Sequence, residues 1–316
     1  MLWLKRRKHL RALGIIGINE RNIALISRYN DRWRYPLVDN KLLTKRAAEA
    51  AGIAMPGLLG VIESNYQLRQ LGNLLEPLDA FVVKPARGSG GKGILVINGR
   101  QAGLFRKPSG QTLTLGDISH DISNILGGLY SLGGKPDIAF IETLVHCTPE
   151  LEKYSYEGLP DIRVIVFQGF PIMAMLRCPT HSSDGKANLH QGAVGVGIDI
   201  ASGRALNAVQ NNRVIHQHPD TGVDFSDLVI PDWPILLKLA ASCYELTGLG
   251  YLGADIVVDR GRGPLLLEIN ARPGLSIQTA CGLGLRGRVR QIQQFESNAL
   301  GLDQRLAVVQ DAFSQA

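Results

Sequence analysis

Two acidic residues and one amide, close together in the sequence, are the first residues here whose types and spacing could do chemistry. In the stretch from Tyr251 to Gly274, YLGADIVVDRGRGPLLLEINARPG, Asp255 lies in one apolar run, and Glu268 and Asn270 lie in the next. The intervening DRGRGP is turn-rich, as expected of a link between antiparallel strands. With Asp259 to Pro264 as the turn, Asp255 comes opposite Glu268. Asn270 then projects from the same face as Glu268, because side chains along a strand alternate with a period of two. Three oxygen donors on one face of a hairpin suit Mg2+, which takes few protein carboxylates and completes its octahedron with water and phosphate oxygens. From this hairpin alone, two strands carrying acids on a solvent face read equally well.

A second string bears on that choice. Residues 81 to 97, FVVKPARGSGGKGILVI, read as a strand, a Lys-Pro step, a glycine-rich loop and another strand. Gly88, Gly90, Gly91 and Gly93 allow successive backbone N–H groups to point into one concavity, an anion nest. Lys84 and Lys92 add formal charge, which makes a phosphate chain the natural guest. The string is no P-loop, since no GxxxxGK[ST] opens a helix here. The bland alternative is a mobile hairpin loop with solvated lysines.

The elements that must position these residues follow from periodicity and punctuation. Helices are expected near 3–13, 20–29, 41–51 (stopped at Gly52) and 64–72, the last with Ser64 as its cap. Strands are expected near 80–84, 93–97, 138–142, 162–168, 171–177 and 193–198. Within segment 98–137, RKPSGQ reads as a loop, and Ile118, Ile122, Ile125, Leu126 and Leu129 mark one helical face. A helix from Asp232 to Thr247, capped by Asp232 with Trp233 and Pro234 in its first turn, leads into the acid-bearing hairpin. There is no internal repeat and no low-complexity linker.

Taken together, these strings resemble the ATP-grasp superfamily, and within it the RimK-type glutamate ligases, over roughly residues 37 to 285. DNKLLTKRAAEAAGIAMP is similar to the family's short helix carrying the first ATP lysine, here Lys41, and VVKPARGSGGKG would carry the second, Lys84. Ser89 falls within that glycine loop. FIETLV looks like the adenine hinge, with Glu142 and the backbone at Thr143 and Leu144 reading the base edge. Asp161-Ile-Arg163, then Arg177, then Asn188-Leu-His190, follow in the family's order. The resemblance makes Asp255, Glu268 and Asn270 the metal triad, followed by Arg272-Pro-Gly.

The resemblance implies an α+β chain with an ATP-grasp fold, two α+β lobes clasping ATP, and a short helical, basic N-terminal segment in place of the usual preceding domain. Its boundaries would be 1–36 for that segment, 37–300 for the ATP-grasp domain (ATP lobe about 52–142, metal lobe about 143–300) and 301–316 for a tail. It further implies an ADP-forming carboxylate–amine ligase using ATP and two Mg2+ ions, with Mn2+ as an alternative, and an acylphosphate intermediate. Glutamate, or another acidic amino acid or peptide, would be a substrate, joined to an amine acceptor. Arg163, Arg177 and Arg272 would meet oxyanions, since planar guanidinium suits bidentate recognition. Asp161, Asn188 and His190 would lie at the substrate.

Composition agrees with an ordinary globular enzyme: 316 residues, 45% hydrophobic and 20% charged. The four cysteines, at 147, 178, 243 and 281, show neither CxxC nor finger spacing and read as buried thiols in a reducing compartment, hence a cytoplasmic enzyme. No apolar run reaches the length of a membrane span, and the basic start lacks a clear leader cleavage site.

Charge is unevenly placed. Residues 1–46 hold twelve Lys or Arg against three acids, a net +9 within a chain of net +6, so the remainder is at −3. Lys5, Arg6, Arg7, Lys8 and Arg11 beside Leu2, Trp3, Leu4 and Leu10 could meet an anionic membrane or nucleic acid, or form a solvated face packing on the body or on a second subunit. Thin aromatic interleaving argues against nucleic acid. With the usual preceding domain absent, residues 1–40 are expected to pack on the body or across a dimer. Two other functional readings therefore stay open: a non-catalytic ATP-binding scaffold, and a peripheral protein acting through its basic N-terminus. Cys178-Pro-Thr-His181 with Asp184 is discounted as a nucleophile and base, because such groups are rarely contiguous. HQHP at 216–219 is read as a solvated loop, and GLGLRG at 282–287 is weak as a nucleotide fingerprint.

Overall fold

The computed structural model describes residues 8–88, 90–296 and 299–314. Two compact units emerge, one of residues 39–50 and 55–146, the other of residues 1–38, 51–54 and 147–316.

The smaller unit begins with helix α1, Lys41–Ala50. Its first turn is satisfied by Asn40, whose Oδ1 accepts from the N–H groups of Leu42 and Leu43. Four strands, β1 (Leu58–Ile62), β2 (Phe81–Pro85), β3 (Leu95–Ile97) and β7 (Ala139–Glu142), form an antiparallel sheet in the order β1-β7-β2-β3. Between β3 and β7 runs a small three-stranded sheet of β4 (Gly99–Gln101), β5 (Leu104–Arg106) and β6 (Thr112–Leu113), too short to show periodicity in the sequence. Helix α2, Leu115–Leu126, follows, opened by a reciprocal cap between Thr114 and Asp117. Its buried stripe is Ile118, Ile122, Ile125 and Leu126, packed in one core with Phe81, Val83, Ile97 and Ile141. Each such buried side chain contributes about 1.5–3 kcal/mol relative to exposure. Leu129, expected on that stripe, is instead 68% exposed, because the helix stops at Leu126 and two glycines follow. Ser64 stands at the N-cap position as expected, but of a 3₁₀ turn, Asn65–Gln70, which comes before the short helix Leu71–Leu75.

The larger unit is organised on seven antiparallel strands: β8 (Asp161–Phe167), β9 (Phe170–Cys178), β10 (Val194–Ile198), β11 (Ala205–Gln210), β12 (Arg213–Ile215), β13 (Tyr251–Asp259) and β14 (Gly263–Asn270), in the order β12-β11-β10-β9-β8-β13-β14. β8 and β13 are buried at every residue, which accounts for their nearly unbroken apolar sequences. The charged residues inside them must therefore be paired. Helix α3, Trp233–Thr247, packs on β14, β13 and β8. Asp232 stands before it but does not cap it: its backbone is left-handed (φ +52°), and its side chain makes no cap bond.

The hairpin turn is tighter than expected. β13 continues to Asp259 and β14 starts at Gly263, so three residues turn the chain, and the Asp259 carboxylate accepts from the N–H groups of Gly261 and Arg262. That turn alone would leave the acids out of register. A bulge between Asp255 and Ile256 corrects the slip and sets Asp255 opposite Glu268.

Residues 8–38 pack within this larger unit. Residues 8–12 and 18–29 are helical, with a π-helical stretch at Arg21–Ile26. Asn30 donates to Tyr251 O at 2.7 Å and Ala271 O at 3.2 Å and accepts from Tyr251 N at 2.8 Å. Gln278 clamps Ile16 through both of its backbone groups. Leu2, Trp3, Leu4, Lys5, Arg6 and Arg7 lie outside the described residues. Among the described residues no helix is long and apolar enough to cross a membrane.

Candidate active site

In the smaller unit, the end of β7, the middle of β2 and the second turn of α1 meet around one carboxylate. Val82 pairs with Glu142 and Lys84 with Phe140, so Lys84 lies diagonally across the ladder from Glu142, within reach of a long side chain. Lys84 Nζ pairs with Glu142 Oε1, and Lys45 Nζ pairs with Oε2 at 2.8 Å. Lys45 also donates to Pro56 O at 2.5 Å. Both Glu142 and Lys45 are buried. Burial works to raise the Glu142 pKa, but Lys84 and Lys45 outweigh it and hold the carboxyl below its ordinary value. Burial likewise dominates at Lys45, whose pKa is lowered in spite of Glu142. The two shifts agree on one point: both charges were taken out of water and are retained by each other.

Glu142 was expected at the adenine edge; its carboxylate is instead enclosed by two lysines. The expected Thr143 amide donates to Gly57 O at 2.9 Å, and its hydroxyl accepts from Gly57 N. That amide is thus spent on holding β7 beside β1, and Leu144, next along, is half-buried. Lys41, half-buried, donates from Nζ to Gly88 O at 3.0 Å, so it touches the glycine loop.

The loop itself leaves β2 and carries Gly90, Gly91 and Gly93 at φ of +65°, +75° and +73°. A Cβ on Gly93 would lie 2.4 Å from the Tyr130 ring, so bulk as well as backbone demands glycine there. Gly88 pairs with Ser131, Lys92 is exposed, and Ser89 lies outside the described residues. The buried Asp137 anchors the base of the loop by accepting from Arg87 N, Ser131 Oγ and Ile138 N.

The larger unit gathers Asp161, Arg163, Arg177, Asp255, Glu268 and Asn270 on one face of its sheet. Asp255 is flanked by Glu268 on β14 and by Arg163 on β8, and Asp161 faces Arg177 on β9. Arg163 grips Asp255 bidentately, Nε to Oδ1 at 2.7 Å and Nη2 to Oδ2 at 2.5 Å. Arg177 donates from Nε and Nη2 to the two oxygens of Asp161, and from Nη2 to Asp255 Oδ2 at 2.8 Å. Two acids and two guanidiniums thus form a closed set with no formal net charge, and Glu268, half-buried beside them, adds one negative charge. Desolvation opposes ionisation of Asp255, yet Arg163 and Arg177 prevail and bring its pKa to about 2. Asp161 goes the other way, to about 6, because burial and the neighbouring Asp255 outweigh Arg177. The pKa of Arg177 is raised, since Asp161 and Asp255 overcome its desolvation.

Two of the three arginines expected to meet substrate, Arg163 and Arg177, are therefore tied to acids of the protein. Among the described residues, Nη1 of Arg163 and of Arg177 makes no hydrogen bond, which leaves each guanidinium oriented with donors to spare. Asn188 caps the turn Leu189–Gln191, accepting from His190 N at 3.0 Å, and His190 is exposed on that turn. The turn belongs beside the cluster: Gly195 on β10 pairs with Arg177, and a Cβ there would lie 2.6 Å from Leu189. Arg272 is exposed, with its guanidinium 4.5 Å from the Tyr35 ring. Its N–H donates to Asn270 Oδ1 at 2.9 Å.

Among the described residues no three His, Cys, Asp or Glu are placed to hold a metal. The third donor here would be the Asn270 amide. In donor type the set fits Mg2+, being all oxygen with two carboxylates in adjacent cross-strand positions. Among the described residues Asp255 Oδ1 accepts only from Arg163 Nε and so keeps one acceptor direction. Asn270 Oδ1 likewise keeps a lone pair beyond its bond to Arg272.

Lys45, Asp137 and Asn30 were not singled out from the sequence. Lys45 could have been found, lying four residues after Lys41 on the same helix face; Asn30 acts on distant backbone, and the Asp137 bond that holds the loop reaches Arg87 N, 50 residues away, so neither carries a local signal. The side motifs resolve structurally. Cys178 is buried with its pKa raised by burial, and Asp184 pairs with Lys186. His218 does not sit in a solvated loop: it is buried, with Nε2 2.9 Å from Pro179 O and Nδ1 accepting from the backbone of Asp220 and Thr221. His216 is exposed.

A lysine-bearing antiparallel unit with a glycine loop, and a second unit with paired acids on a central antiparallel sheet, define an ATP-grasp fold. Residues 20–294 match the family described as sugar-transfer associated ATP-grasp, and the chain belongs to that family. It is also similar to a probable alpha-L-glutamate ligase of Parasynechococcus marenigrum (strain WH8102), 48% identical over 60 residues, 19% of this chain and 12% of that protein. Solved structures similar to it include the ATP-grasp ligase PsnB complexed with minimal precursor (12% identity, TM-score 0.44, 89% of this chain and 63% of that one). Another is the D-alanine-D-alanine ligase from Coxiella burnetii (13% identity, TM-score 0.46, 89% and 60%).

Proposed function

We propose that this chain is an ATP-dependent carboxylate–amine ligase with an acidic amino acid or peptide as one substrate. The observation that carries the reading is the charged face of the larger unit, where Asp255 and Glu268 stand across from each other and two anchored arginines keep Nη1 donors unspent. In the smaller unit, Lys41 and Lys84, with the loop amides of Gly88, Gly90, Gly91 and Gly93 and the exposed Lys92, hold the phosphates of ATP. The backbone around Leu144 takes the base, and Glu142 acts through the lysines rather than on the base. Asp255, Glu268 and Asn270 would hold Mg2+, which when bound offsets charge on the phosphates.

Chemistry then proceeds in two displacements. A carboxylate oxygen of the donor attacks the γ-phosphorus, the bond to the β-phosphate oxygen breaks, and ADP leaves with the electron pair. The amine nitrogen attacks the acyl carbon, the carbon–oxygen bond to phosphate breaks, and the amine gives up a proton as the amide forms. Two anions must be held together for the first step, so positioning and electrostatics dominate. Arg163 and Arg177 are suited to this: Asp255 and Asp161 fix the forks in place, which lowers the ordering cost of using the remaining N–H groups. Arg272 and His190, both exposed, and Asn188, which caps the turn carrying His190, complete the substrate side.

The guanidinium donors support an acidic substrate. Arg163 and Arg177 are neutralised by their acids but keep Nη1 donors unspent, Arg272 is exposed, and one acylphosphate does not require all three guanidiniums. Glutamate, named in the similar protein of Parasynechococcus marenigrum, is the first candidate. The test is ADP release with Mg2+ against a panel of amino acids, each paired with candidate amines, in wild type and Glu268→Gln. Release should depend on an acidic donor and fall by orders of magnitude in the variant. Equal rates in wild type and variant, or activity confined to neutral and basic substrates, would refute the assignment.

A further inference from the structure

Three arginines converge on an open recess of the larger unit that the proposed ligase chemistry does not use. Arg11, Arg286 and Arg290 line it together with Glu20, Gly14 and Gly287, around a volume of about 520 Å³. The recess is held by backbone pairing of distant segments: Gly284 N donates to Leu13 O at 3.0 Å and Arg286 N to Gly14 O at 3.1 Å. Nearby, Gln278 clamps Ile16. Helix α4, Leu285–Ile292, begins at this wall, with Gly287 in its first turn and open space at the Gly287 Cβ position. Its N-terminal polarity adds to the positive field.

The charges are not balanced from within. Among the described residues Glu20 is the one carboxylate in the lining, and it is engaged by Arg286 through Nε at 2.9 Å and Nη2 at 2.6 Å. Arg286 lowers the Glu20 pKa first through that bond, and Arg11 and Arg290 act on it as well, so all three guanidiniums bear on one point. Arg11 and Arg290 are exposed, and among the described residues neither side chain has an ion pair or hydrogen bond. Three guanidiniums sharing one carboxylate leave the recess with a net positive charge, which favours an anion with several oxygens, for which the planar fork is suited.

We infer that this recess binds a phosphate group, as a phosphomonoester or phosphodiester, at a site built wholly from the larger unit. The group could belong to a free small molecule or to a lipid headgroup. Leu10 and Leu13, 49% and 43% exposed, flank the lining residues along the chain, as a lipid-bound headgroup would require.

The probes are inorganic pyrophosphate, followed by calorimetry without Mg2+, and phosphatidylcholine vesicles with and without phosphatidic acid, followed by co-sedimentation. The full chain is compared with Arg11→Gln/Arg290→Gln, whose exposed, unbonded side chains leave the melting temperature unchanged if they serve no structural purpose. Wild type should bind, and the variant should bind about tenfold more weakly or worse. Pyrophosphate binding without vesicle binding identifies a free ligand, and binding only to acidic vesicles identifies a lipid. Failure of wild type with both probes, or equal binding by the folded variant, overturns the inference.

Discussion

Replacing Lys45 with methionine tests whether the buried Lys45–Glu142–Lys84 group is an electrostatic unit. The substitution keeps most of the aliphatic stem but removes the partner of Glu142 Oε2 and the donor to Pro56 O. Removing one member of a buried ion pair costs about 3–5 kcal/mol, chiefly through the charge left behind. Glu142 still has Lys84, and Lys45 no longer carries its own desolvation penalty, so the expected loss is near the lower end, about 3 kcal/mol. Glu142→Gln relieves the stranded charge; in the double variant Lys45→Met/Glu142→Gln the two losses should therefore fail to add by about 1–3 kcal/mol, as expected for residues in contact. Trp3, Trp33 and Trp233 lie outside the smaller unit, so tryptophan fluorescence would follow the wrong body. Amide hydrogen exchange at Val83 and Ile141, paired across β2 and β7, reads the right one. Additivity within about 0.5 kcal/mol would refute the coupling argument.

The same group sets an acid sensitivity: with the Glu142 pKa held below its ordinary 4.5, its stabilising contribution is complete above that value and is lost as pH falls through the depressed folded pKa. Hydrogen-exchange protection of β2 and β7 should accordingly weaken on acidification, and Glu142→Gln should flatten that dependence. Gly93→Ala would force a methyl against the Tyr130 ring at positive φ and should weaken ATP binding, measured by calorimetry; Gly93→Ala/Tyr130→Ala recovers part of it if contact rather than backbone strain dominates. Arg177→Lys keeps a cation beside Asp161 but loses the fork, so steady-state kinetics should show the Michaelis constant for the acidic substrate rising well above any change for ATP; equal changes in both would place Arg177 outside the substrate contacts.

What could be read from the sequence was whatever repeats along it. Strand and helix periodicity located β2, β7, β8, β9, β10, β13, α1 and α3 to within a few residues, and the turn in DRGRGP put Asp255 opposite Glu268. Even that success had a compensating error: the turn is shorter than expected, and a bulge makes up the difference. Bulges leave no periodic trace, since one inserted residue alters the alternation only locally. The two-residue β6 and three-residue β4, β5 and β12 lie below the length at which alternation can be distinguished from chance.

Side-chain partnerships were the part the sequence withheld. Arg163 and Asp255 are 92 residues apart, and Arg177 and Asp161 are brought together only by the β8–β9 register, so none of the pairings follows from local spacing. The consequence for function is specific. An arginine in an apolar strand reads as a substrate ligand or as a structural partner, and burial forces the second role before it permits the first: an unpaired guanidinium inside β8 would cost more than any substrate contact returns. Arg163 and Arg177 can serve both because a guanidinium has five N–H donors, and a bidentate grip on a carboxylate consumes two. The acid thus fixes the direction in which the spare donors point. By the same argument, the residues most worth replacing are not the exposed Arg272 or His190 but the acids Asp161 and Asp255, whose loss would release both guanidiniums from the geometry proposed to bind an oxyanion.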